Sequence, residues 1–176
     1  MQSLSKQQLL ALLSAARASR ERDFLMILVG FSHGLRPSEV IGLKADDIRD
    51  GHLDVQRLKG SMRTVQPLVE DENPLLNERT ALFDYTVGML GNQRLFPISR
   101  RQFGRLFKRY GKAAGIPRHL CHPHILKHSI AMQTIQLAGI ENVRQYLGHK
   151  SISSTGAYLK VSDADAAGAI KNALKV

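Results

Sequence analysis

The run Leu147-Gly148-His149-Lys150-Ser151-Ile152-Ser153-Ser154-Thr155-Gly156-Ala157-Tyr158 sets a histidine nine residues ahead of a tyrosine, across a bend rich in glycine, serine and threonine. A tyrosine on a turn is ordinarily a surface residue, so the segment gains meaning only from what the rest of the chain brings to it. The layout suits a nucleophile on a short movable element. A phenol has a pKa of ~10 and is mostly protonated at neutral pH, so it needs a nearby base or a strong positive field. The expectation is a basic pocket that holds one phosphate in front of Tyr158.

Composition is consistent with that partner. The chain has 25 Lys+Arg against 15 Asp+Glu, a net charge of +10, which points to a polyanion, and nucleic acid leads. A membrane surface is disfavoured because the basic residues are not gathered in one tail or one amphipathic segment. With 43% apolar and 23% charged residues the chain should fold. Its 176 residues suit one domain over 1–176, within the range of ~50–250 residues usual for domains. The single cysteine, Cys121, excludes an internal disulfide framework and suits a reducing compartment. The N-terminus lacks the order of a signal peptide, and the longest apolar run, residues 24–31, is too short to span a bilayer. The protein is read as cytoplasmic.

In chain order, Ser5 caps a helix over 5–18 with Leu9, Leu12, Leu13 and Ala16 inside, and residues 20–33 form a second helix buried on most sides. Gly34 stops it. Pro37 opens a short helix, which leaves Arg36 at the chain reversal, where a guanidinium can fork onto two phosphate oxygens with Glu39 fixing its orientation. An ordinary surface Arg–Glu pair is the competing account. Residues 52–69 alternate as a hairpin turning at Gly60-Ser61, with Pro67 marking an edge strand. Lys59 lies at its tip as a flexible ammonium able to reach a groove and give up a proton, with Arg57 and Arg63 beside it as expected DNA contacts; an exposed charged turn is the competing account. A helix over 74–90 takes Leu75, Leu82, Val87 and Leu90 as core.

A further helix over 99–114 buries Phe103, Leu106, Phe107, Tyr110 and Ala114. Its remaining surface carries Arg101, Arg105, Lys108, Arg109 and Lys112, nearly all of one sign, as a track for a phosphate backbone. Pro123 opens a helix to about Leu137 that puts His124, Lys127 and His128 on one face. A metal site using His124 and His128 with Cys121 or His119 is the other way to read that cluster, but position 125 is isoleucine, so the His-Glu-x-x-His pattern lacks its base. No metal is expected. Nor is ATP or another cofactor, since no phosphate-binding loop occurs. Residues 140–149 make a short helix, and 162–174 a last amphipathic one with Ala167, Ile170 and Leu174 on its apolar side. The expected fold is mostly α with a small antiparallel β-sheet (α+β).

Gly34-x-Arg36-x-Ser38-Glu39-x-x-x-Leu43 and Leu147-Gly148-His149 followed by Tyr158 resemble the tyrosine recombinases, the phage integrase family. A lysine-bearing hairpin and a His-x-x-basic helix lie between them in the same order. The resemblance covers essentially the whole chain as that family's catalytic domain. It implies a site-specific DNA recombinase that cuts and rejoins strands without ATP or metal. Tyr158 would attack the scissile phosphate and form a 3′-phosphotyrosine. Arg36 and His149 would bind the nonbridging oxygens, Lys59 would protonate the leaving 5′-oxygen, and His124 would take the tyrosine proton or position its acceptor. Double-stranded DNA is the implied partner, with a homotetramer on DNA and a monomer when free; the 162–174 helix suits transfer to a neighbour.

Two departures stand out. Lys127 sits where the family has a second arginine, keeping the charge but losing the planar fork. The N-terminal DNA-clamping domain common in the family has no counterpart within 1–176, where the first helix starts almost at Met1; a minimal recombinase and a catalytic fragment of a longer protein are the two readings. A type IB topoisomerase-like activity and a catalytically impaired DNA-binding regulator of the same fold are the alternatives.

Overall fold

The structure, a computed structural model, describes residues 2–58 and 61–156. Lys59 and Tyr158, and the expected 162–174 helix, lie outside them. The first helix, α1 (Lys6–Arg17), begins at a reciprocal cap: the Gln8 amide donates to Ser5 Oγ, and the Ser5 amide donates to Gln8 Oε1. Leu9, Leu12, Leu13 and Ala16 face inward, as the periodicity predicts.

The centre of the fold is α2 (Glu21–Ser32), buried continuously from Asp23 to Ser32. It packs on α1, on α3 (Pro37–Val40), on α4 (Glu78–Thr86) and on α6 (His124–Ala138). Each large apolar side chain buried here contributes about 1.5–3 kcal/mol, so Phe24→Ala would open the middle of the molecule. The helix ends in a left-handed glycine turn: Gly34 has φ +57, its amide bonds Phe31 O, and the Leu35 amide bonds Gly30 O. That turn delivers Arg36 to the position just before α3.

A three-stranded antiparallel sheet has the order β1 (Ile48–Arg49), β2 (His52–Val55), β3 (Thr64–Pro67). Asp54 pairs with Val65 and His52 with Pro67, which leaves Pro67 on an edge strand as expected. The short β1 is an addition to the predicted hairpin. It is joined to β2 by Asp50-Gly51, both with positive φ, the conformation of a tight hairpin turn.

The predicted 74–90 helix is shorter, running only from Glu78 to Thr86. Val87 leaves helical backbone at φ −54, ψ 122, and Val87 and Leu90 are 71% and 72% exposed, so neither belongs to the core. Leu82 is the fully buried apolar anchor of α4, and Leu75 is half-buried. The long basic helix α5 (Arg100–Ala113) buries Phe103, Phe107 and Tyr110, with Leu106 and Ala114 half-buried. The remainder is α6, then α7 (Ile140–Tyr146) and α8 (Ser153–Gly156). Ala131, Ile135, Val143 and Leu147 form a small second core that fastens α7 to α6. Among the described residues no helix is long and apolar enough to cross a membrane.

Candidate active site

Four separate elements bring the site together. Arg36 precedes α3, with its side chain 35% exposed. Its orientation is set by Glu39, whose Oε2 accepts from the Arg36 amide at 2.7 Å and whose Oε1 accepts from Nη1 at 3.1 Å. Ser61, at the far side of the hairpin, accepts from the same Nη1 at 3.0 Å. Glu39 itself is buried. Burial alone would push its carboxyl up, but the Arg36 and Leu58 amides and the charges of Arg57 and Lys127 hold it below the usual range.

Lys127 projects from the buried face of α6 and donates from Nζ to the Leu147 carbonyl at 3.0 Å. Burial, and then the charges of Arg57 and Arg36, bring its pKa down to about 7, with Glu39 opposing. His149 follows α7 and is buried, its Nδ1 2.9 Å from Thr155 Oγ1. Burial, followed by the charges of Lys127, Arg36, Arg57 and Arg144, lowers its pKa to about 4, so its ring is neutral at pH 7. Hydrogen bonds bring the three elements together: Lys127 holds the Leu147 carbonyl two residues before His149, and Arg57 bonds both Glu39, the partner of Arg36, and the Tyr146 carbonyl. His124, the first residue of α6, stays exposed. Its pKa is lowered by burial and by His122, Arg100 and Arg36.

The turn between α7 and His149 depends on Gly148, which has φ +66. A β-carbon there would come within 2.7 Å of Met62 O, and the Met62 amide bonds the Gly148 carbonyl at 2.9 Å. The connection between β2 and β3 and the histidine turn are therefore in direct contact.

Arg57 corrects an expectation. Anticipated as a DNA contact beside Lys59, its side chain is 0% exposed and bonded within the protein, so it cannot reach a ligand backbone. Arg63 is exposed and forked onto Asp54. On α5 all five anticipated cations are exposed. Arg101, Arg105, Lys108 and Lys112 share one face by helical spacing. Arg105 and Arg109 also line a hollow with Arg20 and Arg22, where Arg109 donates to Ser19 Oγ and stacks over the Tyr110 ring.

Several contributors escaped the sequence reading. Ser61 and Thr155 carry no periodic or motif signal, and Arg100, near His124, is only one more cation at a helix start. Among the described residues no group of three or more His, Cys, Asp or Glu is placed to hold a metal ion. Cys121 is buried against Gly111, with its thiol 3.5 Å from the Ile116 and Pro117 carbonyls.

A mostly helical domain with a small antiparallel sheet, carrying Arg36, Lys127 and His149 on hydrogen-bonded elements, defines a class that sequence comparison identifies. The chain belongs to the phage integrase family, whose sequence profile matches residues 2–165. Tyrosine recombinase XerA of Thermococcus kodakarensis is 32% identical over 166 residues, covering 90% of this chain and 58% of its own length. The type 1 fimbriae regulatory protein FimE of Escherichia coli K12 is 31% identical over 160 residues, covering 86% of this chain and 80% of FimE. The chain thus spans little more than half of XerA. Two solved structures share the fold, each with a TM-score of 0.76. The crystal structure of XerA recombinase matches at 22% identity over 100% of this chain and 64% of that one. XerH site-specific recombinase bound to its difH substrate, a pre-cleavage complex, matches at 19% identity over 96% and 53%.

Proposed function

We propose that the chain is the catalytic domain of a site-specific DNA recombinase working by transesterification. The observation that carries the reading is that hydrogen bonds join the three elements bearing Arg36, Lys127 and His149, with the Arg36 side chain left 35% exposed. The scissile phosphate of double-stranded DNA binds at Arg36 and His149. The Tyr158 oxygen attacks phosphorus, the bond to the 5′-oxygen breaks, and the 3′-phosphotyrosine keeps the phosphodiester energy for rejoining. Arg36 and the neutral His149, donating from Nε2, stabilise the charge that builds on the nonbridging oxygens, as preorganised donors do in phosphoryl transfer. Lys127 adds positive charge beside them. His124 receives the phenol proton, and Lys59 protonates the leaving 5′-oxygen. On DNA the domain assembles as a homotetramer.

The test offers a nicked suicide duplex carrying the site found as paired inverted repeats beside the gene. A covalent protein–DNA adduct is expected, and Tyr158→Phe should abolish it. No adduct on the true site would sink the catalytic reading. One observation favours a second reading, a DNA-binding regulator: the Lys127 amine is already engaged by the Leu147 carbonyl. Site-specific binding without adduct would select it.

A further inference from the structure

We propose that Arg57 is a positioning residue whose buried guanidinium clamps the turn carrying Arg36 to the turn carrying His149. The two phosphate contacts are thereby held at a fixed separation. The inference rests on the reading of Arg36 and His149 as phosphate ligands.

A guanidinium has five N–H donors in a rigid plane. In Arg57, Nε donates to Thr64 Oγ1 at 3.0 Å, Nη1 to Gly34 O at 3.1 Å and to Glu39 Oε2 at 3.5 Å, and Nη2 to His33 O at 2.9 Å and Tyr146 O at 3.1 Å. His33 and Gly34 are the turn that delivers Arg36, and Glu39 orients Arg36 directly. Tyr146 ends α7, three residues before His149. One planar group therefore touches both approaches to the phosphate. Charge balance with Glu39 alone would not need this arrangement, because that is the longest of the contacts and the others address carbonyls and a hydroxyl.

The carbonyls on the His149 side are held one after another. Tyr146 O also accepts from Gln66 Nε2 at 2.6 Å, Leu147 O from Lys127, Gly148 O from the Met62 amide, and His149 O from Arg144 Nη1 at 2.9 Å. Behind Gln66 the line continues: its Oε1 meets His33 Nδ1 at 2.7 Å, and His33 Nε2 meets Glu78 Oε2 at 2.9 Å. A turn so engaged moves as a body. Arg57 ties that body to the Arg36 turn.

The experiment titrates inorganic phosphate into the whole chain and follows the histidine ring signals by NMR, with circular-dichroism melts to verify folding. Arg57→Lys keeps the charge without the fork and is expected to weaken phosphate binding by about tenfold, the scale of one charge-assisted hydrogen bond. Thr64→Val keeps the shape, removes one acceptor, and should weaken binding by roughly threefold. Both losses should shrink below about twofold in an Arg36→Ala background, because effects that pass through a shared partner are non-additive. Losses that persist unchanged beside Arg36→Ala, or phosphate binding unaltered in both variants, overturn the proposal. If Arg57→Lys does not fold, Thr64→Val decides. A wild-type chain that shows no phosphate-dependent shift at His149 refutes the phosphate pocket itself and the positioning role with it, whereas normal wild-type binding with unaffected variants refutes only the latter.

Discussion

Lys127 and His149 show how burial among like charges sets a protonation state. The Lys127 amine falls from an ordinary 10.5 to about 7 on folding. Between those values the unfolded chain binds more protons, so stability rises with pH across that window, and the cost of the buried charge is fully present below pH 7. Lys127→Met should therefore raise the melting temperature most at pH 6–7, with the gain shrinking toward pH 10; a gain independent of pH would rule out this origin. His149 falls from 6.5 to about 4, so its neutral ring contributes stability above pH 6.5 that is lost as pH drops toward 4. His149→Gln should flatten that acid limb in urea midpoints measured from pH 4 to 7, in part only, because His122, His124 and His128 are lowered in the same direction. Arg36, His124, Lys127 and His149 could be named from the sequence because the resemblance to the family marks the motifs in which they sit. The role of Arg57 could not be named in this way. In sequence it is one more cation near a hairpin tip, and its acceptors lie 24 and 89 residues away at His33 and Tyr146.

Among the elements, helices with strong caps were read almost to their ends, since Ser5 and Ser99 each begin a reciprocal cap with a glutamine three residues on. The α4 region was overextended because apolar spacing continues past Thr86 although the backbone turns away. The β1 strand was missed because two residues are too few to alternate, although Asp50-Gly51 carried a hairpin signal. Gly148→Ala is expected to cost about 1–3 kcal/mol from the left-handed backbone alone, plus the contact with Met62 O. Adduct formation well below its melting temperature should be lost as well, since the histidine turn must shift. Gly104→Ala is the contrasting case: within α5, with nothing within 4 Å of an added β-carbon, it should raise stability by about 0.5–1 kcal/mol. Urea denaturation of both variants checks the opposite signs.

For the molecule as a whole, the mostly helical fold with its small sheet was legible from periodicity and turn chemistry. The hollow that Arg105 and Arg109 share with Arg20 and Arg22 was not, because a helical wheel does not say which neighbour each face meets. If Arg101, Lys108 and Lys112 track a DNA backbone, replacing each with glutamine should lower the slope of log affinity against log salt by roughly 1. Equal slopes in the wild type and the triple variant would remove α5 from the interface. The grip on Tyr146, Leu147, Gly148 and His149 falls on main-chain carbonyls, which every amino acid supplies alike. Natural drift can therefore rewrite many side chains on these turns without moving the carbonyl positions. That leaves glycines in special backbone conformations and the few reactive groups as the durable signature of ancestry, and it gives an engineer freedom to alter target preference around a frame that does not depend on what is altered.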